Sequence, residues 1–160
     1  FLSSILFILI TSFTFTLNKL DKTLRKQNKE SVDSIHVETL EKAENPILLD
    51  AREKAEYEVS HLKDAIWVGY DTFQLDSVVQ KIQNKNSEIV VYCSIGVRSE
   101  NIGEKLEKAG YTNVRNLYGG IFEWKNEGLP VVDSLGNETE RVHAFNKHWG
   151  KLLKTGEKVY

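Results

Sequence analysis

The chain has 160 residues, 41% of them hydrophobic and 28% charged, enough apolar material for one ordinary domain and too much for a disordered chain. Lys and Arg total 21 against 23 Asp and Glu, so no basic excess calls for nucleic acid as a partner. Cysteine occurs once, at Cys93, which excludes an intramolecular disulfide and a structural Cys-rich zinc site.

Residues 1–18 carry no charge, and eleven of the first seventeen are Phe, Leu or Ile. As a helix this segment would extend about 27 Å at ~1.5 Å per residue, close to the ~30 Å of a hydrocarbon core. It is expected to act as a signal peptide or membrane anchor, so the protein is expected to be exported, periplasmic or membrane-anchored. Methionine is absent, so the true start is expected upstream of Phe1, which leaves room there for the basic region that a signal peptide needs. No Ala precedes Ala43, so an A-x-A cleavage site is lacking, and no Cys follows the apolar run to carry a lipid. Residues 19–30 read as a polar linker or solvated helix in which Lys19, Lys22, Arg25, Lys26 and Lys29 outnumber Asp21 and Glu30. That excess suits a cytoplasmic flank and argues mildly against export.

Short apolar runs then alternate with helical patterns. The runs are Pro46 to Asp50, Ala65 to Gly69, Glu88 to Tyr92 and, more weakly, Asn113 to Leu117. Leu75, Val78, Val79 and Ile82 fall at i, i+3, i+4 and i+7, and Ile102, Leu106 and Ala109 share that spacing. Gly110 stands where a helix would stop. Strands alternating with helices indicate an α/β domain with a mainly parallel central sheet flanked by helices. In such sheets the loops after the strands' C-terminal ends hold the ligand. Two features fall there: Asp50 with Arg52, and Cys93.

A cysteine nucleophile acts as the thiolate, and a free thiol has a pKa near ~8.5. A helix N-terminus, convergent backbone N–H groups and an arginine all favour the anion. The run Cys93, Ser94, Ile95, Gly96, Val97, Arg98 supplies all three on a strand-to-helix turn. Gly96 lets the loop curl, and Ser94 and Ser99 add hydroxyl donors. The same position would also suit a cysteine that is merely a small buried hydrophobe.

These residues identify a family. Asp50-Ala-Arg52, Glu56-Tyr57, His61, Ala65 and Ile66, then the C-x-x-G-x-R loop from Cys93 to Arg98, then Leu117, Gly119, Gly120, Trp124, Gly128, Pro130 and Val131 resemble in order the motifs of the rhodanese-like sulfurtransferases. The similarity spans about residues 31–132 and implies the three-layer rhodanese-like fold. It also implies a double displacement in which Cys93 takes a sulfane sulfur from a small donor anion such as thiosulfate. The resulting persulfide is then unloaded by cyanide, a small thiol or a protein thiol. Cys93 and Arg98 would be catalytic, the loop residues Ser94, Ile95, Gly96 and Val97 would bind substrate, and Arg52 would brace the site or border the pocket. No metal or organic cofactor is implied. Ser94 replaces an arginine frequent in the family, which removes a positive charge and makes thiosulfate a poorer fit. Two other readings are a non-catalytic protein-binding or sulfide-sensing module and a phosphatase or arsenate reductase. The related phosphatases use a loop one residue longer than the four residues separating Cys93 from Arg98.

Asp50 and Arg52 form either a buried ion pair or simple surface charges. His61 is expected to pack rather than to catalyse. Tyr118 to Gly120 should make a tight turn before a short helix, with Trp124 plugging the core. His143 and His148 are five apart, the wrong spacing for metal ligands on one helical face. Residues 133–160 form a C-terminal extension in which Val142, Phe145, Trp149, Leu152 and Leu153 mark an amphipathic helix, weakened by Gly150.

Overall fold

The computed structural model describes residues 19–160, and the apolar segment 1–18, read above as a signal peptide or anchor, lies outside them. The elements run α1 (Lys19–Gln27), β1 (Ser34–Ile35), α2 (Val37–Leu40), β2 (Ile47–Asp50), α3 (Lys54–Val59), β3 (Ile66–Trp67), α4 (Leu75–Lys81), β4 (Ile89–Tyr92), α5 (Val97–Lys108), β5 (Val114–Leu117) and α6 (Gly120–Asn126). The short strands β6 (Val131–Val132), β7 (Glu138–Thr139), β8 (Arg141–His143) and β9 (Glu157–Val159) follow, with a 3-10 turn over Trp149–Leu152.

Strands β1 to β5 form one parallel sheet in the order β1-β5-β4-β2-β3. All four residues of β4 are buried, because helices cover both faces of this central strand. Its side chains alternate between two cores. Ile89 and Val91 join Leu49, Val78, Ile82, Ile102, Leu106 and Val114 on one face. Val90 and Tyr92 join Leu24, Ile35, Leu117, Ile121 and Phe122 on the other. The four apolar runs and the two helical spacings of the sequence therefore appear as expected, and Gly110 adopts φ +92° just past α5.

The ends of the described chain depart from expectation. Residues 19–27 take the helical alternative, but the helix is not simply solvated, because Leu24 is fully buried in the second core. The segment just beyond is tied to α5. Buried Glu100 accepts the Lys29 N–H at 2.9 Å and the Ser31 N–H at 2.8 Å. A count of polar residues misses this, because a single leucine and a pair of backbone bonds secure the segment.

Residues 133–160 do not form an amphipathic helix. β8 and β9 pair in parallel around the 3-10 turn. Val142, Ala144, Leu152 and Leu153 still enter the core, so the apolar stripe has the right membership and the wrong conformation. The local chemistry explains the outcome. Asn146 turns its side-chain oxygen onto the His148 and Trp149 N–H groups, at 2.9 and 3.1 Å, which competes with helix formation. Gly150 packs against Ala144 and Tyr160.

Asp50 and Arg52 form the buried pair. Both side chains are at 0% exposure, with Arg52 Nη2 2.7 Å from Asp50 Oδ2 and Nε 3.0 Å from Oδ1. Arg52 Nη2 also donates to the Ser60 carbonyl at 2.7 Å. Burial disfavours the guanidinium charge, but the adjacent Asp50 carboxylate outweighs it and raises the Arg52 pKa above its ordinary value.

Candidate active site

Cys93 directly follows β4, at the C-terminal edge of the sheet, and is 1% exposed. Two glycines build the loop that follows. Gly96 adopts φ +105°, a left-handed turn that ends the loop and starts α5. That turn brings the Gly96 N–H to 3.1 Å from Cys93 Sγ. The Gly96 carbonyl is held on the other side by Asn116 Nδ2 at 2.8 Å. Ser99 Oγ lies 2.7 Å from Asn116 Oδ1 and 3.5 Å from Cys93 Sγ, so its one proton serves either acceptor.

The second glycine acts from behind the loop. Gly120, at φ +56°, lets the start of α6 press against the cysteine loop. Ile121 N–H donates to the Cys93 carbonyl at 2.9 Å and Phe122 N–H to the Ser94 carbonyl at 3.1 Å. Peptide units are planar and trans, so with these carbonyls facing α6, the N–H groups of Ser94 and Ile95 face away from it. The first N–H groups of α5 likewise lack an acceptor inside the helix. Negative charge on a sulfur held here therefore meets backbone dipoles, as an oxyanion does in an acyl-transfer site.

Arg98 does not point freely into the site. Its guanidinium makes a two-pronged contact with Glu56, Nη1 to Oε2 at 2.7 Å and Nη2 to Oε1 at 2.8 Å. Ser94 Oγ sits between the pair, 3.0 Å from each partner. Glu56 is buried and also accepts the Glu53 N–H at 3.0 Å, in a capping box that starts α3. Burial would raise the Glu56 carboxyl, but hydrogen bonds and charge from Arg98, helped by Arg52 and the Glu53 amide, hold it below the usual carboxylate range. Burial likewise opposes the Arg98 charge, and Glu56 with Cys93 outweighs it and raises its pKa.

This has a consequence for stability against pH. Glu56 titrates lower in the folded chain than in the unfolded one, where a glutamate titrates near ~4.3. Its contribution is fully present above that value and disappears as pH falls through the folded value. Thermal melts from pH 7 to pH 3 should show wild type losing stability more steeply below about pH 4.5 than Glu56→Gln. At pH 7 the variant should be the less stable of the two. Parallel curves would show that the Arg98–Glu56 pair contributes nothing net.

A cavity of about 170 Å³ opens at the thiol, lined by Gln27, Cys93, Ser94, Ile95, Val97, Arg98, Phe145 and Trp149. The loop residues named from the sequence are therefore brought together, with Gly96 donating to the sulfur. Arg52 is the exception. It is fully buried and does not line this cavity, because Nε and Nη2 are held by the Asp50 carboxylate and the Ser60 carbonyl. His61 stacks on Tyr57, with ring centroids 3.8 Å apart, and lines a different concavity beside Val132. Trp124 is only half-buried, packing against the core while its indole N–H reaches the Pro130 carbonyl at 2.9 Å. Among the described residues no three of His, Cys, Asp and Glu gather as metal ligands would.

The structure brings to the site residues to which the sequence assigned no role there. Asn116 is 2% exposed in β5, where the polar Arg115 also stands between Val114 and Leu117, so a polar residue at a strand position is a weak signal. Glu56 had a clearer one, its place three residues after Glu53 at a helix start. Gln27, Phe145 and Trp149 come from segments far from Cys93 in sequence. Phe145 is 47% exposed, and its ring lies 5.2 Å from the Arg98 guanidinium. Its backbone is at φ +63°, inside a three-residue turn closed by Asn146 N–H on the Ala144 carbonyl at 2.8 Å. A left-handed non-glycine residue costs on the order of 1 kcal/mol or more.

The model of the rhodanese-like domain matches residues 36–127, more than half of the chain. The chain belongs to the rhodanese-like domain family. As a rhodanese-like domain it is 40% identical over 97 residues to a tRNA uridine(34) hydroxylase from Photorhabdus laumondii. The match covers 55% of this chain but 28% of that relative, so the chain spans little more than a quarter of it. A rhodanese-related protein from Thermoplasma volcanium is 30% identical with a TM-score of 0.52, covering 62% of this chain and 97% of that one. The thiosulfate sulfurtransferase from Pseudomonas aeruginosa has a TM-score of 0.57 at 23% identity, covering 76% of this chain and 23% of that one, which shows a shared fold. The matched span of residues 36–127 includes the cysteine loop, Glu56 and Asn116. It stops short of Gln27 on one side and of Phe145 and Trp149 on the other.

Proposed function

We propose that the protein is a sulfurtransferase that carries a sulfane sulfur on Cys93 as a persulfide. The observation that carries this reading is the backbone N–H of Gly96 on Cys93 Sγ, in a loop whose carbonyls are drawn to the opposite side by α6 and Asn116. The Cys93 thiolate attacks the outer sulfur of the donor. The donor's own bond to that sulfur breaks, and its remainder leaves with the bonding electron pair. The persulfide's terminal charge then rests among the loop dipoles. A thiolate or cyanide attacks the terminal sulfur, and Cys93 departs as thiolate. Both steps are displacements at sulfur and balance without a cofactor. No second cysteine occurs in residues 1–160, so the acceptor lies outside them. The apolar segment 1–18 supports an exported or membrane-tethered setting.

Intact-mass spectrometry after brief exposure to sulfane donors tests this reading. Wild type should gain one sulfur atom and return to its starting mass when a thiol or cyanide is added. If neither thiosulfate, inorganic polysulfide nor an organic persulfide loads the chain, the proposal fails.

The 40% identity to a protein named for tRNA hydroxylation favours a second reading, in which the same thiol loop serves a reaction on RNA. Lys22, Arg25 and Lys26 are exposed on α1, the helix whose Gln27 lines the cavity mouth. Three phosphate contacts would give tRNA binding a log–log salt slope of about −2. Failure to bind tRNA even at low salt would remove this reading.

A further inference from the structure

The geometry points to a sulfur donor with an uncharged, apolar body, a small organic hydropersulfide, selected by Phe145 and Trp149. This rests on the sulfur-transfer reading and names its substrate class. Three observations meet at the cavity.

The first is charge. Arg98 is the only cation lining the cavity among the described residues, and both its prongs are taken by Glu56. The local sum of Arg98, Glu56 and a Cys93 thiolate is therefore negative. The cations of α1, Lys22, Arg25 and Lys26, are exposed to water and none lines the cavity. A doubly charged, strongly hydrated anion such as thiosulfate would lose its hydration here without gaining an unpaired cation.

The second is the wall. Ile95, Val97, Phe145 and Trp149 present apolar surface beside the sulfur, and the space of about 170 Å³ has room for a small organic group. The third is where the aromatic wall comes from. Phe145 is left half in water at a backbone angle that side chains avoid, both unfavourable for stability alone. The placement has a use if the exposed ring meets a ligand. With a hydropersulfide R–S–SH, the Cys93 thiolate takes the outer sulfur. The R–S bond partner leaves as R–S⁻, the proton stays on the transferred sulfur, and the products are Cys93–S–SH and R–S⁻. One S–S bond breaks and one forms, with no net oxidation.

The test measures the rate of sulfur loading on the full chain from benzyl hydropersulfide, inorganic hydrodisulfide and thiosulfate. Benzyl hydropersulfide should load wild type at least about tenfold faster than thiosulfate. The ratio of benzyl to inorganic loading should fall about tenfold in Phe145→Ala, the worth of one aromatic contact, through a weaker apparent saturation constant. Phe145→Leu, which keeps an apolar side chain and loses the ring, should fall between. Leu135→Ser, on the β6–β7 turn, should keep the wild-type ratio, and near-ultraviolet circular dichroism checks that each variant is folded. If inorganic hydrodisulfide loads Cys93 but benzyl hydropersulfide has no advantage, or Phe145→Ala leaves the ratio unmoved, the selectivity inference is overturned and sulfur transfer stands. If nothing loads wild type, both are overturned.

Discussion

Cys93→Ala should abolish sulfur loading. The variant should show no mass gain with any donor, and turnover with cyanide should drop by at least about a thousandfold, as when a covalent nucleophile is removed. Its fold should survive. The side chain is small, and the Gly96 N–H that it accepts remains close to the first turn of α5, so a loss of about 1 kcal/mol or less is expected at this site. Cys93→Ser provides a second check. It keeps an acceptor for the Gly96 N–H yet replaces the thiolate by a hydroxyl that stays protonated at neutral pH, so it should also be inactive while melting close to wild type. Persistent loading of Cys93→Ala would place the sulfur elsewhere and end the proposed mechanism. Failure of Cys93→Ala and Cys93→Ser to fold would mark the thiol as a core residue instead.

Gly120→Ala should be nearly as damaging, though Gly120 touches no substrate. A Cβ at this position would stand 2.3 Å from the Cys93 carbonyl oxygen and 2.8 Å from the Ser94 carbonyl, contacts with backbone that cannot swing aside. The residue is also at φ +56°, where a side chain adds roughly 1–2 kcal/mol. Overpacking adds about 1–3 kcal/mol, so a total near ~2–5 kcal/mol is expected, or about 10 °C in Tm for a domain of this size. The functional loss should exceed the stability loss. Relief of the clash must push α6 and the cysteine loop apart, lengthening the Ile121 and Phe122 bonds that orient the loop carbonyls. Loading by thiosulfate-free polysulfide should then fall at least about tenfold even at temperatures where the variant is fully folded. Wild-type loading in a folded Gly120→Ala chain would show that the loop holds its shape without α6.

Legibility followed sequence distance. The four sheet-forming runs and the helices over Leu75–Lys81 and Val97–Lys108 were readable because each is a local pattern whose period survives folding. The cysteine loop was readable for the same reason, since strand end, glycine turn and helix start occupy one short stretch. Polar residues were harder. Asn116 looked like a defect in a strand, and its meaning appears only when β5 lies beside β4 and carries its amide to the Gly96 carbonyl. Arg98 looked like a free charge for the anion, because nothing in its own helix announces Glu56, forty-two residues earlier, as its partner. The extension after Val132 shows the reverse limit. Its apolar stripe correctly marked core residues, but the choice between helix and strand fell to Asn146, Gly150 and the pairing of β8 with β9.

By itself, then, the sequence determined the α/β order, the parallel sheet, the family and the place of the cysteine loop, all consequences of short-range periodicity and one contiguous stretch. The tertiary structure alone decided what surrounds Cys93. It neutralised Arg98 with Glu56, chose the buried brace over the pocket border for Arg52, and brought Gln27, Phe145 and Trp149 from the two ends of the described chain to the cavity at Cys93. Those contacts depend on how separate helices and strands pack, and no local pattern carries that information.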